Sequence, residues 1–491
     1  MDFKLAEIYG DGMIIQRDKP VVILGEALKA CEIHAVLDHE IVSLKVTPGF
    51  FKLELPSHKA GKNLELHVWT DNQNEVIKNV FCGEVWIAGG QSNMAFELRE
   101  SGEYRKGMPI IAQEKIRFYT VGQNALSSRE NYGKGYEWAY SQDSGWLGCS
   151  EKTAPYFSAA GYFFAEKLYQ ELQVPIGIIS CCVGGSGIFA WMPEEAIASN
   201  PELVYALEDF RCQNIEPDQA YKDCFHKYLD ACREGVVDVS SVAGHPGVLP
   251  CVFFDQPGPY NFKRPCGLYN AMYKKIVDYA VRGMIWYQGE SEAFAETAST
   301  YASAMETLLK HLKSHQTNNY EFHFSQIAPW KNEDIRQWED ICNEQRIFAL
   351  NHPECGMATI GDYGGGEDIH PSYKKPVGER LAYAAMSLTY GKTYEYSGPI
   401  AVSANVEGTG IRILFLHNEG MYFAKEPGIF EAVYKDGTIR KGVPRIEEDS
   451  IFLELEIMEN LEAVRYEYYS DFHIGLFNEE NLPASIFRLK I

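Results

Sequence analysis

The sequence predicts an α/β protein: a mostly parallel sheet with covering helices, flanked at both ends by β-sandwich-like modules. Three observations predict it. Residues 1 to about 80 alternate apolar and polar in short runs, "CEIHAVLDHEIVSLKVT" and "NLELHVWT" among them, with Gly, Pro, Asn and Asp turns between. That period of two is the texture of antiparallel strands. From about 81 to 390 the apolar runs "VWIAGG", "VPIGIISCC", "RGMIWYQG", "EFHFSQIAP" and "GMATIGD" alternate with helix-like stretches such as "SAAGYFFAEKLYQEL" and "STYASAMETLLKHLKSH". Buried strands alternating with helices imply βαβ units. After 391 short strands return in "IRILFLH", "IFLELEIM" and "AVRYEYYS". The expected modules are therefore 1–80, 81–390 and 391–491. Residues 200–265 interrupt the middle module with a polar stretch and the Pro/Gly-rich "GHPGVLPCVFFDQPGPYNFKRPCG"; they read as an insertion and a candidate lid.

With 491 residues the chain exceeds one core, which agrees with several modules. Its 68 acidic and 45 basic side chains leave a net charge of -23. Such a field repels nucleic acid and anionic membrane, so neither is an expected partner. A pocket of the opposite sign still admits an acidic sugar. The first residues, "MDFKLAEIYGDGMIIQRDKP", carry charge from position 2 and lack the apolar core of about 7–15 residues that a signal peptide needs. Nor does any window reach the roughly 18 apolar residues of a membrane helix. The 12 cysteines are irregularly spaced, without Cys-x-x-Cys, which suits reduced thiols. The expected location is the cytoplasm, or a secreted or periplasmic one if a leader has been removed.

The stretch "EVWIAGGQSNMAFEL" carries the first functional signal. A buried strand ends in Gly89 and Gly90, and Ser92 stands where a helix would begin. Strand ends are where α/β sheets collect their chemistry, and backbone N–H groups of a helix start point outward there. The bland alternative is that Ser92 caps the helix. A serine needs a base to take its proton. Of the 13 histidines, His34, His39 and His67 fall in the N-terminal module, and His311 and His315 share a helix with no third metal ligand in view. His370 differs: in "GDYGGGEDIHPSYKKPVGERLAYAA" it follows an apolar run and three glycines, and Pro371 keeps it out of a helix. Asp368 and Glu367 stand beside it, and a carboxylate on one ring nitrogen would fix the tautomer. For an oxyanion, Gly184 or Gly185 in "SCCVGGSGIFAW" could offer backbone N–H, as could Ser92 itself, together with the side-chain amide of Gln288 in "WYQGESEA". Neither glycine loop completes a phosphate-binding motif, and no cofactor or metal is expected.

The blocks "GQSNM", "WYQGES" and "DIHP…K…VGERLA", in that order, resemble the sialate O-acetylesterase family within the SGNH hydrolase superfamily, and "DGMIIQRDKPVVILGEA" resembles the family's β-rich opening. The resemblance implies a flavodoxin-like three-layer core. It makes Ser92 the nucleophile and His370 the general base, and puts Gln288 where other SGNH enzymes use asparagine. Three carboxylates compete to complete the triad. Glu367 holds the place three before the histidine, and "DIHP" points to Asp368. In related acetylxylan esterases the glutamate of the "QGE" block takes this part, here Glu290. Asp368 is preferred, with Glu290 next. Gln91 and Asn93 beside the serine are assigned to substrate binding, and Trp191 and Trp330 either to stacking on a sugar ring or to core packing. The substrate implied first is an O-acetylated, above all 9-O-acetylated, sialic acid; Arg264, Arg336 and Arg346 are candidates for its carboxylate. Acetylated xylan or another plant oligosaccharide is the alternative substrate. A carbohydrate-binding protein with a degenerate core is the alternative without catalysis. The β modules could also mediate homo-oligomerisation.

Overall fold

The computed structural model describes residues 1–122, 143–213, 264–316, 319–331 and 337–491. The chain forms two units: Met1–Arg99, Met108–Met284 and Glu306–Tyr320 make the first, and Glu100–Gly107, Ile285–Met305 and Glu321–Ile491 the second. Most of the 200–265 insertion, and with it the candidate lid, lies outside the described residues.

The first unit is built on one 17-residue strand, Asn74–Gly90. Its first half pairs antiparallel with Gly61–Trp69 in the N-terminal β region. Its second half pairs parallel with Ile176–Cys182, which is also parallel to Gln113–Thr120. From Val80 to Gly90 every residue is buried. A strand covered on both faces reads as an unbroken apolar run rather than an alternation, and so "VFCGEVWIAGG" loses its period of two. The Ala159–Leu172 helix starts where expected because Ser158 Oγ accepts the Gly161 N–H at 3.1 Å, an ordinary N-cap. It buries Phe164 edge-on against Trp86, ring centroids 5.3 Å apart. The N-terminal region adds a three-stranded sheet of Phe3–Leu5, Val21–Ala27 and Gly49–Leu55.

One element departs from the sequence pattern. The helix expected after Ser92 is a single turn, Ser92–Ala95. Phe96 leaves it at ψ 117°, Glu97 bridges Ser158, and the Leu98 N–H bonds to the Phe157 carbonyl at 2.8 Å. A long-range backbone pairing thus overrides a local helical pattern.

A buried carboxylate fastens the middle of the same strand. Glu84 is fully buried. It accepts from Arg282 Nε at 2.9 Å and Nη2 at 3.2 Å, from Gln16 Nε2 at 3.0 Å, and from Arg17. Burial alone would raise its pKa, but Arg282 and Arg17 outweigh it and hold the carboxyl below its ordinary 4.5. A depressed folded-state value means stability that is present above the ordinary pKa and lost as pH falls through the folded one. Glu84→Gln strands two guanidinium groups beside a neutral amide. It is expected to cost about 3–5 kcal/mol of unfolding free energy, read as a lower urea midpoint at pH 7. A midpoint equal to wild type would show that the arginines find solvent instead.

In the second unit, strand Glu321–Ser325 lies between Gly283–Tyr287 and the short Met357–Ala358 and runs parallel to the latter. Helices Trp338–Asn351 and Lys375–Ala384 follow strands in the chain. Alternating buried parallel strands and helices make the core α/β. Beyond it stand two four-stranded antiparallel sheets. One comprises Ile400–Glu407, Gly410–Leu416, Ser450–Glu454 and Val443–Glu447; the other comprises Ile439–Lys441, Phe430–Tyr434, Leu461–Tyr466 and Phe487–Lys490. Ile411, Ile413 and Leu453 of the first sheet share one apolar core with Phe430, Tyr466 and Phe487 of the second. The eight cysteines whose side chains are described are thiols and form no disulfide with one another. Among the described residues no helix is long and apolar enough to cross a membrane.

Candidate active site

In the first unit the structure sets Ser92 at the exit of the long strand. Gly90, at φ +132°, makes a turn that L side chains resist. Gln91 then occupies the N-cap position, without a side-chain capping bond, and Ser92 the first helical position. Ser92 is therefore not the cap, and it stays partly exposed while Gln91 and Asn93 are buried. The Gly184 loop comes up against it: a Cβ built on Gly184 would lie 3.5 Å from Ser92 Cβ. Only a small residue there leaves the serine open on that side.

In the second unit Gln288 ends its strand fully buried, at 0 % exposure. Its Oε1 accepts from the Tyr301 hydroxyl at 2.7 Å, and its Nε2 donates to the Glu292 carboxylate. Its backbone carbonyl accepts from Tyr301 at 2.8 Å and from Gln345 Nε2 at 3.1 Å. Gly289 turns the chain at φ +150°, and a Cβ there would meet Ile341 Cγ2 at 2.9 Å. Glu290 follows, 2 % exposed.

The His370 loop is anchored from two sides of its own unit. Lys331 N–H bonds to the Gly366 carbonyl and Gly365 N–H to the Pro329 carbonyl, both at 2.8 Å. Trp330 Nε1 donates to the Glu367 carbonyl at 3.1 Å. From the turn after strand Leu461–Tyr466, the Ser470 carbonyl receives Trp330 N–H at 2.8 Å, and Asp471 Oδ1 receives Gly366 N–H at 3.3 Å. Residues 100–107 clasp the stretch just after the histidine. Gly102 N–H bonds to the Ser372 carbonyl at 2.8 Å, and the Glu103 carboxylate accepts Lys375 N–H at 2.9 Å, an acid placed at a helix N-terminus.

Asp368 meets His370 differently from the expectation. Its Oδ1 accepts the histidine's backbone N–H at 2.8 Å, while the ring Nδ1 stands 3.7 Å away and the carboxylate is 76 % exposed. That separation is an ion-pair distance, longer than a hydrogen bond. Glu367 is exposed and contributes its carbonyl. The residue that sequence reasoning passed over is Lys374. It is fully buried, with its ammonium 5.6 Å from the Tyr287 ring centre. Burial pulls its pKa down to about 7, although Glu290, Asp368 and Glu103 act the other way. In turn burial, and then the Lys374 charge, lower the His370 pKa, against Asp368 and Glu100. "SYKKP" shows two adjacent lysines; nothing in the local pattern says that the first is buried and the second is solvated.

Other expected residues are placed as follows. Trp191 is a core side chain, 2 % exposed, its Nε1 donating to Ser186 Oγ at 3.0 Å; it is not a free platform for a sugar ring. Trp330 is half-buried, 5.1 Å from Trp338. Arg346 is a correction as well: it is buried, bonded to the Ala401 carbonyl at 2.6 Å and to Asn343, and so is engaged in holding the C-terminal sheets. Arg264 lines a cavity of about 440 Å³ with Lys274, Asn270 and Glu195. Arg336 lies outside the described residues. His311 and His315 pack ring to ring at 4.7 Å, and His315 Nδ1 faces Asp278 at 3.2 Å.

Comparisons with known proteins place this architecture. The family model for carbohydrate esterase, sialic acid-specific acetylesterase, matches residues 260–387. The crystal structure of a carbohydrate acetylesterase from Xanthomonas citri superposes with a TM-score of 0.77 at 25% identity, over 99% of each chain. Fold and comparison agree on a class: the α/β architecture is similar to that of a carbohydrate acetylesterase. The sialate O-acetylesterase of Rattus norvegicus is 22% identical over 433 residues, 81% of this chain and 76% of that protein. The Mus musculus protein of the same name is 24% identical over 436 residues with the same coverage. Over most of its length the chain is thus similar to sialate O-acetylesterases, and its residues 260–387 match that family's model.

Proposed function

We propose that the protein removes acetyl groups from sugar hydroxyls through an acyl-serine. The observation that carries the reading is Ser92 at the first helical position after a buried strand, half open, with the Gly184 loop beside it. His370 takes the Ser92 Oγ proton as the oxygen attacks the acetyl carbonyl carbon. The oxyanion rests on the Ser92 N–H, a Gly184 or Gly185 N–H, and the Gln288 amide. The C–O bond to the sugar breaks, the alcohol leaves with the proton from His370, and a water deprotonated by the same imidazole releases acetate. Asp368 is the preferred acid. Its charge supports an imidazolium even where its carboxylate holds the backbone rather than the ring. Glu290 is the second candidate, being buried and electrostatically coupled to Lys374, and Glu367 the third. Gln91, Asn93 and Trp330 are proposed to shape the sugar site. In this reading the esterase module is a three-layer core over 81–390, with sandwich-like β modules at 1–80 and 391–491.

The substrate proposed first is an O-acetylated sialic acid, on the strength of the family. Arg264, with Lys274 beside it, is the remaining described candidate for the carboxylate. Two measurements test the reading together. An organophosphonate serine trap should label one peptide, that of Ser92, and abolish turnover. Acetate release from O-acetylated sialic acid should exceed release from acetylated xylo-oligosaccharides. A trap that leaves Ser92 unmodified while activity disappears would sink the nucleophile assignment, and the opposite substrate order would sink the sialate assignment alone.

A further inference from the structure

Gln288 is held from three directions within its own unit: its side-chain amide by Tyr301 and Glu292, its backbone carbonyl by Tyr301 and Gln345. We propose that Tyr301 is a positioning residue for the esterase reaction, fixing through its hydroxyl the orientation of the Gln288 amide that faces the oxyanion. The proposal rests on the reading of Gln288 as an oxyanion donor. Glu292, as a carboxylate, can only accept, so the amide edge turned towards it must be Nε2. That leaves Oε1 on the Tyr301 side, where the hydroxyl stands 2.7 Å from it and 2.8 Å from the Gln288 backbone carbonyl. The single phenol proton is shared between the side-chain and main-chain oxygens of the same residue. Its helix, Tyr301–His315, is a long element, and the ring is 0 % exposed, so the hydroxyl has little room to wander. Gln345, also fully buried, closes the third side by donating to the Gln288 carbonyl at 3.1 Å.

The physical point concerns where a dipole aims. An amide donor helps an oxyanion only if its N–H is held in place before the charge develops. Glu292 restrains the Nε2 end of the amide. The Tyr301 hydroxyl supplies the second point that fixes the plane. Nothing in the "STYASAMETLL" pattern separates this tyrosine from an ordinary core aromatic, because its role lies in one oxygen at a helix start.

The test is a double-mutant cycle on the full chain with p-nitrophenyl acetate. Gln288→Ala should lower kcat by about 10²–10³. Tyr301→Phe should lower kcat by about tenfold, the equivalent of one hydrogen bond, with KM within about a factor of two. In the Gln288→Ala background, Tyr301→Phe should then change kcat less than twofold, because its target is gone. A Tyr301→Phe enzyme with wild-type kcat, beside an impaired Gln288→Ala enzyme, overturns the positioning role and leaves the oxyanion reading standing. So does a full tenfold loss in the Gln288→Ala background, the mark of a merely structural tyrosine. Wild-type turnover in Gln288→Ala overturns the oxyanion reading itself. Should Tyr301→Phe fail to fold, a fluorotyrosine at 301 keeps the ring and hydroxyl while making the proton more acidic. It should change kcat without changing KM, and an unchanged kcat overturns the proposal.

Discussion

Ser92→Ala is expected to lower kcat by about four to six orders of magnitude while the protein melts at its wild-type temperature. The two halves of that expectation come from different features. The hydroxyl is the only part of the side chain that chemistry needs. The fold needs only a small residue in the helical turn, and alanine suits the first helical position well. Because Gln91 and not Ser92 stands at the N-cap, removing the hydroxyl costs no capping bond. Steady-state turnover of p-nitrophenyl acetate and a thermal melt decide it. Retained turnover in a folded Ser92→Ala protein ends the acyl-serine mechanism, whatever the substrate.

His370→Ala is expected to cost about 10⁴ in kcat, and the wild-type pH profile should carry the same residue's signature. A general base works as neutral imidazole, so kcat/KM should fall as the pH drops through the His370 pKa. Burial and the Lys374 ammonium both disfavour the imidazolium and set that pKa below the ordinary 6.5. The acid limb should therefore lie on the acid side of 6.5, and activity should persist at pH values where a solvated histidine is already half protonated. Lys374, whose own pKa is near 7, is still charged where this limb falls. Removing that charge in Lys374→Met should move the limb upward. An unmoved limb in a folded Lys374→Met enzyme, or a limb that survives in residual His370→Ala activity, would assign the titration to another group.

Much of the architecture is legible in the amino-acid order, and the exceptions share a cause. The strands around "VWIAGG", "VPIGIISCC" and "EFHFSQIAP" stand where their apolar runs predict, since burial on both faces writes itself directly into composition. "SAAGYFFAEKLYQEL" forms its helix because the cap and the apolar face agree. The exceptions depend on partners far along the chain. "MAFEL" has helical spacing, yet residues 96–98 pair with 157–159. Trp191 has the composition of a sugar platform and is instead enclosed. Lys374 is an ordinary lysine by sequence and a buried one by structure, its ammonium set by the ring of Tyr287, far back in the chain. Tyr301 touches Gln288 through a single atom, and no periodicity reports on a single atom. Patterning reads faces of elements; it does not read which side chain a distant loop will cover.

The anchoring of the Gly364–Glu367 stretch carries a wider implication. Ser470 and Asp471, together with Phe472 and Ile474 against Gly361, come from the terminal β region and hold the segment that leads into the imidazole. If His370 is the general base proposed above, that region is more than an appendage, and a swap of it between relatives is expected to alter the rate as well as the stability.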